Sequence, residues 1–298
     1  MTTDRTTSPT GSIIVGVDQS DCSRLALQWA AGVARALGRT LHVVEAWHYP
    51  TDTALRLGSV ALPDPAHADE LMIRHLSSLI EEELGEHEDL SVDLDVVRGP
   101  TSEALLHLAD GHASMIVVGS RGLGGFRGLL LGSVSRQLCE HAPCPVTVVR
   151  QLPKDRPVRL DTIVVGVDGS EHAARALTFA ADLAARSHGR IVAVHAATAP
   201  AMVDASVMPL AAEGRNLPEL LDGWCEPLHE RGLEDHESVI VEGDARTALL
   251  EVAEERDADL LVVGSRGLGP VSRLLIGSVS SSILQHSPIP VAVVPQVH

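Results

Sequence analysis

Lysine is almost absent from this chain of 298 residues: of its 23 basic side chains only Lys154 is a lysine, and the rest are arginines. A mechanism that needs a lysine in each of two sites is therefore excluded. Aromatic residues make up 2% of the chain, and Trp29, Trp47, Tyr49, Phe126, Phe179 and Trp224 are scattered along it. They are too few and too dispersed for a stacking platform on single-stranded nucleic acid. The cysteines, Cys22, Cys139, Cys144 and Cys225, form no C-x-x-C pair and show no His/Cys spacing typical of zinc. They read as reduced thiols of a cytoplasmic protein. The opening MTTDRTTSPTGS is polar and no long apolar run follows, so neither a secretory leader nor a membrane span is expected. Positive charge is also scarce, since 23 basic residues face 40 acidic ones and the formal net charge is −17. That balance disfavours nonspecific attraction to nucleic acid or to an anionic membrane, so any bound phosphate must be held locally.

With hydrophobic residues at 45% and charged residues at 21%, the composition is that of a soluble globular protein. The length suits about two domains. Internal similarity sharpens that count. Ile13 to Ser20 reads IIVGVDQS, and a hundred and fifty positions later Ile163 to Ser170 reads IVVGVDGS. Val117 to Gly124 reads VVGSRGLG, and Val262 to Gly269 repeats it letter for letter. The chain is a tandem duplication, with domains expected over 1–152 and 161–298. The joint between them, at 153–160, lies within QLPKDRPVRL, whose prolines and charges suit neither a helix nor a central strand.

Each copy alternates β-rich apolar runs with amphipathic stretches. In copy one the expected strands are Ser12–Asp18, Thr40–Ala46, Ser91–Arg98, Met115–Gly119 and Pro145–Arg150. Helical spacing of apolar residues falls between them, over Ser23–Leu37, Ala68–Leu84, Ser102–Ala109 and Ser133–His141. Copy two repeats the order from Thr162–Asp168 to Pro290–Pro295. Near-continuous apolar strands such as MIVVG and LLVVG suit a sheet covered on both faces, and the alternation implies parallel strands. The expected fold is therefore α/β, with two tandem doubly wound five-stranded sheets. The gaps Tyr49–Ala66 and Thr198–Glu213 read as surface loops.

Chemistry concentrates after the fourth strand of each copy. Gly119-Ser120-Arg121-Gly122 is followed nine residues later by Gly132-Ser133-Val134-Ser135, which opens a helix, and copy two matches it with Gly264-Ser265-Arg266-Gly267 and Gly277-Ser278-Val279-Ser280. Glycines that let backbone approach a ligand, followed by free N–H groups at a helix N-terminus, are a standard phosphate cradle. Ser133 and Ser278 are placed to cap the helix or to donate a hydroxyl to phosphate, while Arg121 and Arg266 supply positive charge. A Walker loop is excluded because neither loop holds a lysine, and the Rossmann glycines are missing after the first strand. Asp18 and Asp168 end the first strands instead. A carboxylate there repels phosphate, so it suits a base or ribose. Asp18 meets Gly119 if the strand order is 3-2-1-4-5, whereas order 2-1-3-4-5 puts another strand beside the first; the residues alone do not choose.

The pattern G-x2-G-x9-G-[ST] after strand four, with V-G-V-D at the first strand and C-P-V or I-P-V before the last, resembles the universal stress protein family over nearly the whole chain. The resemblance implies strand order 3-2-1-4-5, an adenine nucleotide alpha-hydrolase-like fold, and an ATP site in each half, where Mg²⁺ would ride mainly on the phosphates. Carried over residue by residue, Gly16 and Asp18 lie near the adenosine, and Ala46 offers backbone to the adenine. Gly119, Ser120, Arg121, Gly122, Gly132, Ser133, Val134 and Ser135 hold ribose and phosphates. Gly166, Asp168, Ala196, Gly264, Ser265, Arg266, Gly267, Gly277, Ser278, Val279 and Ser280 do the same in copy two. Gln19 departs from Gly169 and narrows the first site.

Plainer roles compete with these. Asp18 and Asp168 would cap the following helix. His141 and His286, matched in H-x-P-x-P, end the last helix of each copy against its dipole. Cys144 is a small buried residue opposite Ile289 of copy two, and Glu81-Glu82-Glu83 a solvated helix face. Val146–Val149 and Val291–Val294 are apolar edges, so the halves are expected to pack about a pseudo-twofold axis with these strands facing, as an intramolecular pseudo-dimer. A homodimer of the whole chain rests on no particular residue. The function expected is a non-enzymatic, ATP-binding stress-response regulator. The rivals are a slow ATP-hydrolysing or phosphotransfer enzyme using Asp18 or Arg121, and an interaction module with vestigial sites.

Overall fold

The computed structural model describes residues 11–47, 65–123, 131–152, 157–197, 216–233, 235–267 and 276–296. The first half runs β1 (Ile13–Val17), α1 (Asp21–Leu37), β2 (Leu41–Trp47), α2 (Pro65–Leu84), β3 (Val92–Arg98), α3 (Thr101–Ala109), β4 (Met115–Gly119), α4 (Ser133–His141) and β5 (Val146–Val149). The second runs β6 (Thr162–Gly166), α5 (Glu171–Ser187), β7 (Arg190–Ala197), α6 (Leu217–Trp224), α7 (Glu226–His229), β8 (Glu237–Glu242), α8 (Ala245–Glu255), β9 (Leu260–Gly264), α9 (Ser278–His286) and β10 (Val291–Val294). The expected loop Tyr49–Ala66 needs correction at its end, because α2 begins at Pro65, a residue suited to a first helical turn. The rest of that loop, all of Thr198–Glu213 and positions 153–156 of the joint lie outside the described residues.

Strands line up as β3-β2-β1-β4-β5-β10-β9-β6-β7-β8. Each half therefore has the order 3-2-1-4-5, and its own strands all pair in parallel. The halves meet where β5 and β10 pair antiparallel, with Val148 opposite Val291 and Val146 opposite Val293. Two apolar edges thus satisfy each other, and a single ten-stranded sheet results.

Both sheet faces are covered, which explains strands such as IIVGV that are buried along their whole length. On one face Trp29 and Val33 of α1, Leu76 of α2, and Leu177 and Ala180 of α5 share a core. On the other lie Leu105 of α3, Leu138 of α4, Leu249 of α8 and Ile283 of α9. The halves also touch on the first face, where the Arg186 guanidinium donates to the Leu37 carbonyl. The described end of the joint, 157–160, is neither helix nor strand. It is packed rather than loose: Leu160 is buried, and a Cβ on Gly32 of α1 would meet Val158 at 2.5 Å.

Local signals set the helix ends. Ser20 accepts the Ser23 N–H to cap α1, and Ser170 accepts the Ala173 N–H to cap α5. Gly38 closes α1 in the left-handed conformation at φ 60°. The acidic run on α2 is more than a solvated face, because Glu83 is bonded to both Arg24 and Gln28 of α1. His141 and His286 donate through Nδ1 to the Gln137 and Ser282 carbonyls in the last turns of α4 and α9, as their place at helix ends suggested. All four cysteines are free, and burial pushes the Cys139 and Cys144 thiols up to about 12, which keeps them protonated.

Candidate functional site

The order 3-2-1-4-5 puts the C-terminal ends of β1 and β4 side by side, with Gly16 paired to Val118, and that is where both motifs converge. Gly119 and Gly122 each answer a separate steric demand. Gly119 packs on α1 so closely that a Cβ would stand 2.7 Å from the Cys22 carbonyl carbon. At Gly122 a Cβ would fall 2.1 Å from Asp18 Oδ2, because that carboxylate reaches over to the loop. Gly132 closes the excursion: its N–H donates to the Ser120 carbonyl at 2.8 Å, and Gly277 does the same to Ser265 at 2.7 Å. Gly132 and Gly277 are thereby tied back to the residues that directly follow β4 and β9.

Asp18 does not cap α1, since Ser20 does; nor does Asp168 cap α5, where Ser170 has that role. Asp18 Oδ2 instead accepts the Leu123 N–H at 2.9 Å, while Oδ1 accepts the N–H and the hydroxyl of Ser20 at 3.2 and 2.6 Å. It clamps the glycine loop to the turn after β1. A carboxylate offers about four lone-pair sites, so capacity remains for a ligand. Asp168 makes the matching bond to Ser170 N–H at 2.9 Å, and a Cβ on Gly267 would lie 2.4 Å from its Oδ2.

The serines divide into distinct roles. Ser133 and Ser278 do not cap their helices: the caps are Gly132 and Gly277, which have no side chain to accept a helix N–H, and both serines are exposed at the first helical position. The leading N–H groups of α4 and α9 thus keep no side-chain partner from the cap, the condition that favours an anion. Ser135 and Ser280 turn inward, where the hydroxyls donate to the Gly132 carbonyl at 3.1 Å and to the Gly264 carbonyl at 2.7 Å. Ser120 is fully buried with its hydroxyl on Cys22 Sγ, and Ser265 is buried at the matching place.

In the second half these elements enclose a cavity of about 410 Å³. Gly166, Asp168, Ala196, Gly264, Arg266, Gly267, Gly277, Ser278, Val279 and Ser280 line it, and Ser265 does not. Sequence reasoning missed the apolar wall formed by Val194, Leu249, Val263 and Ile276, together with His195 and with Ala245 at the start of α8. The available signal was the apolar face of α8, since Leu249 packs on Gly166 just as Leu105 of α3 packs on Gly16. In the first half Gly16, Asp18, Gly119, Arg121, Gly122 and Gly132 to Ser135 take the corresponding places, and Ala46 sits at the end of β2 opposite Val97.

Charge differs between the halves. Gln19 holds the left-handed φ of 66° that Gly169 holds at 78°, and its amide donates to Glu45 Oε1 at 3.0 Å. Position 45 corresponds to His195, whose Nδ1 donates to the Val167 carbonyl at 2.8 Å and whose ring meets Trp224 edge-on at 5.1 Å. Burial, reinforced by Asp18, raises the Glu45 carboxyl above its usual range against the opposing effects of Gln19 and His75. Arg150, just past β5, is held below the usual arginine range by burial and by the Arg121 charge.

The universal stress protein family model matches residues 10–150 and again 159–295. A universal stress protein of Mycobacterium tuberculosis is 32% identical over 296 residues, covering 94% of this chain and 95% of that protein. One from Mycobacterium bovis is 31% identical over 294 residues, covering 95% and 97%. Among solved structures, a universal stress protein from Archaeoglobus fulgidus has a TM-score of 0.67 at 22% identity, covering 97% of each chain. A putative universal stress protein from Pseudomonas aeruginosa has a TM-score of 0.58 at 20% identity, covering 97% of this chain and 94% of that one. With the family model matched in both halves and relatives of nearly equal length, this chain is a tandem member of the universal stress protein family.

Proposed function

We propose that this chain is a non-enzymatic regulator that binds an adenine nucleotide, ATP above all, with one cleft per half. The observation that carries the reading is the second-half cavity of about 410 Å³, a volume suited to a small ligand, whose lining combines an apolar wall with the glycine-capped N-terminus of α9. A base fits against Val194, Ala196 and Leu249, and phosphates fit where Gly277, Ser278 and Arg266 present N–H groups, a hydroxyl and a guanidinium. Asp168 lines the same cavity and would accept from ribose or base donors. The first half repeats the loop, the Asp clamp and the glycine-capped helix.

Binding without turnover is favoured because the loop hydroxyls of Ser120 and Ser135 are committed to internal bonds and Asp18 already clamps the loop. Occupancy would then bias the loop and the joined sheets toward a partner-binding shape. Mass spectrometry of small molecules released from the freshly purified chain tests the reading. Stoichiometric adenine nucleotide supports it; a chain that releases none and takes none up from added ATP refutes it.

A further inference from the structure

The ring of His195 is fixed from two sides. Nδ1 faces the Val167 carbonyl at 2.8 Å, and a carbonyl only accepts, so Nδ1 carries the proton and the neutral ring leaves Nε2 as an acceptor. The ring also meets Trp224 of α6 edge-on at 5.1 Å. Trp224 in turn lies on the turn after β6, where a Cβ on Gly169 would fall 2.6 Å from the indole Cε2. A side chain at that position would push the indole away, which accounts for the glycine. Nε2 has no partner among the described residues and is not sealed in, while His195 itself is half-buried and lines the second-half cavity together with Val167, Asp168, Val194 and Ala196. Glu45, the matching residue of half one, is instead buried, with the Gln19 amide on one oxygen.

We propose that His195 is a specificity-determining residue of the second cleft, its Nε2 accepting a hydrogen bond from the 6-amino group of a purine and so selecting a 6-aminopurine over a 6-oxopurine. This rests on the nucleotide reading above. Val194 and Ala196 flank His195 on β7 and offer the face of a base its apolar contact, so the histidine meets the base at its edge. A 6-amino group donates to Nε2, whereas a 6-oxo group sets acceptor against acceptor and leaves both unpaired.

The test is calorimetric titration with ATP and with inosine triphosphate, its 6-oxo counterpart, in the full chain carrying Gly132→Asp, which places a carboxylate at the cap of α4 and leaves the second cleft to bind. In that chain His195→Ala is expected to weaken ATP about tenfold and to change inosine triphosphate by less than about twofold, so that the preference between them collapses. His195→Gln, which keeps an acceptor, is expected to retain most of the preference for ATP. Equal losses for the two nucleotides in His195→Ala, or no loss of ATP, would overturn the role of His195, and so would a glutamine variant that behaves like the alanine one. Failure of the unmodified chain to bind either nucleotide would instead overturn the nucleotide reading. Unfolding curves that superimpose on the parent's show that each variant is folded, and retained inosine triphosphate binding shows the same of the cleft.

Discussion

A Cβ on Gly264 would stand 2.8 Å from the carbonyl carbon of His172, and Gly119 has the same relation to Cys22 in the other half. The obstacle is helix backbone, which cannot rotate aside. Gly264→Ala and Gly119→Ala are therefore expected to force β9 from α5, or β4 from α1, at a cost of about 1–3 kcal/mol each. Urea unfolding measures this; an unchanged midpoint for both would show that the contact is not constraining.

Gly132 and Gly277 make a different case, because both hold extended backbone at a helix cap, a conformation that aspartate also adopts. Aspartate there accepts the leading N–H groups itself, so Gly132→Asp and Gly277→Asp should shift stability by only a few tenths of a kcal/mol. The same carboxylate occupies the phosphate position with like charge. Thermal unfolding and nucleotide titration on the same samples should show intact folding with one cleft lost per substitution.

Glu45 gives the chain a pH-dependent stability. It is 3% exposed, and Oε2 is buried without a hydrogen-bond partner. Its carboxyl is raised in the folded state, chiefly by burial and also by Asp18, with Gln19 and His75 opposing. A raised carboxyl favours folding while protonated, so its contribution is complete below the ordinary glutamate range near pH ~4.3 and fades as pH rises through the raised value. Glu45→Gln should thus match the parent chain at low pH and exceed it by about 1 kcal/mol at neutral pH. A difference independent of pH, read from urea unfolding across that range, would rule out this titration.

The joint should act as a packed element. Val158 fills the place where Gly32 lacks a side chain. Gly32→Ala is expected to destabilise by about 1–3 kcal/mol, and Val158→Ala to relieve part of that loss when combined with it. A double-mutant cycle with no coupling would mean that 157–160 lies loosely on α1.

Most of the fold was legible because the chain states it twice. The repeated IIVGVDQS and VVGSRGLG blocks fixed the first and fourth strands of each half, and buried runs marked the parallel sheet. The antiparallel meeting of β5 with β10 followed from two apolar edges that needed partners. Roles within the site were less legible, because they depend on which side chain reaches which backbone group. Capping of α1 fell to Ser20 rather than Asp18, and Glu83 became a link between helices because Arg24 and Gln28 face it across α1. Leu249 and His195 reach the cavity from elements carrying no motif, so the only cue was the apolar face of α8, which pointed to Leu249 and not to His195.

The most direct test of nucleotide binding is a calorimetric titration of ATP into the full chain and into the Gly132→Asp/Gly277→Asp double variant. Saturable binding to the parent chain, abolished in the double variant without loss of folding, is expected if the glycine-capped helix ends hold the phosphates. Absence of saturable binding to the parent chain, or binding that survives both substitutions unchanged, would contradict it.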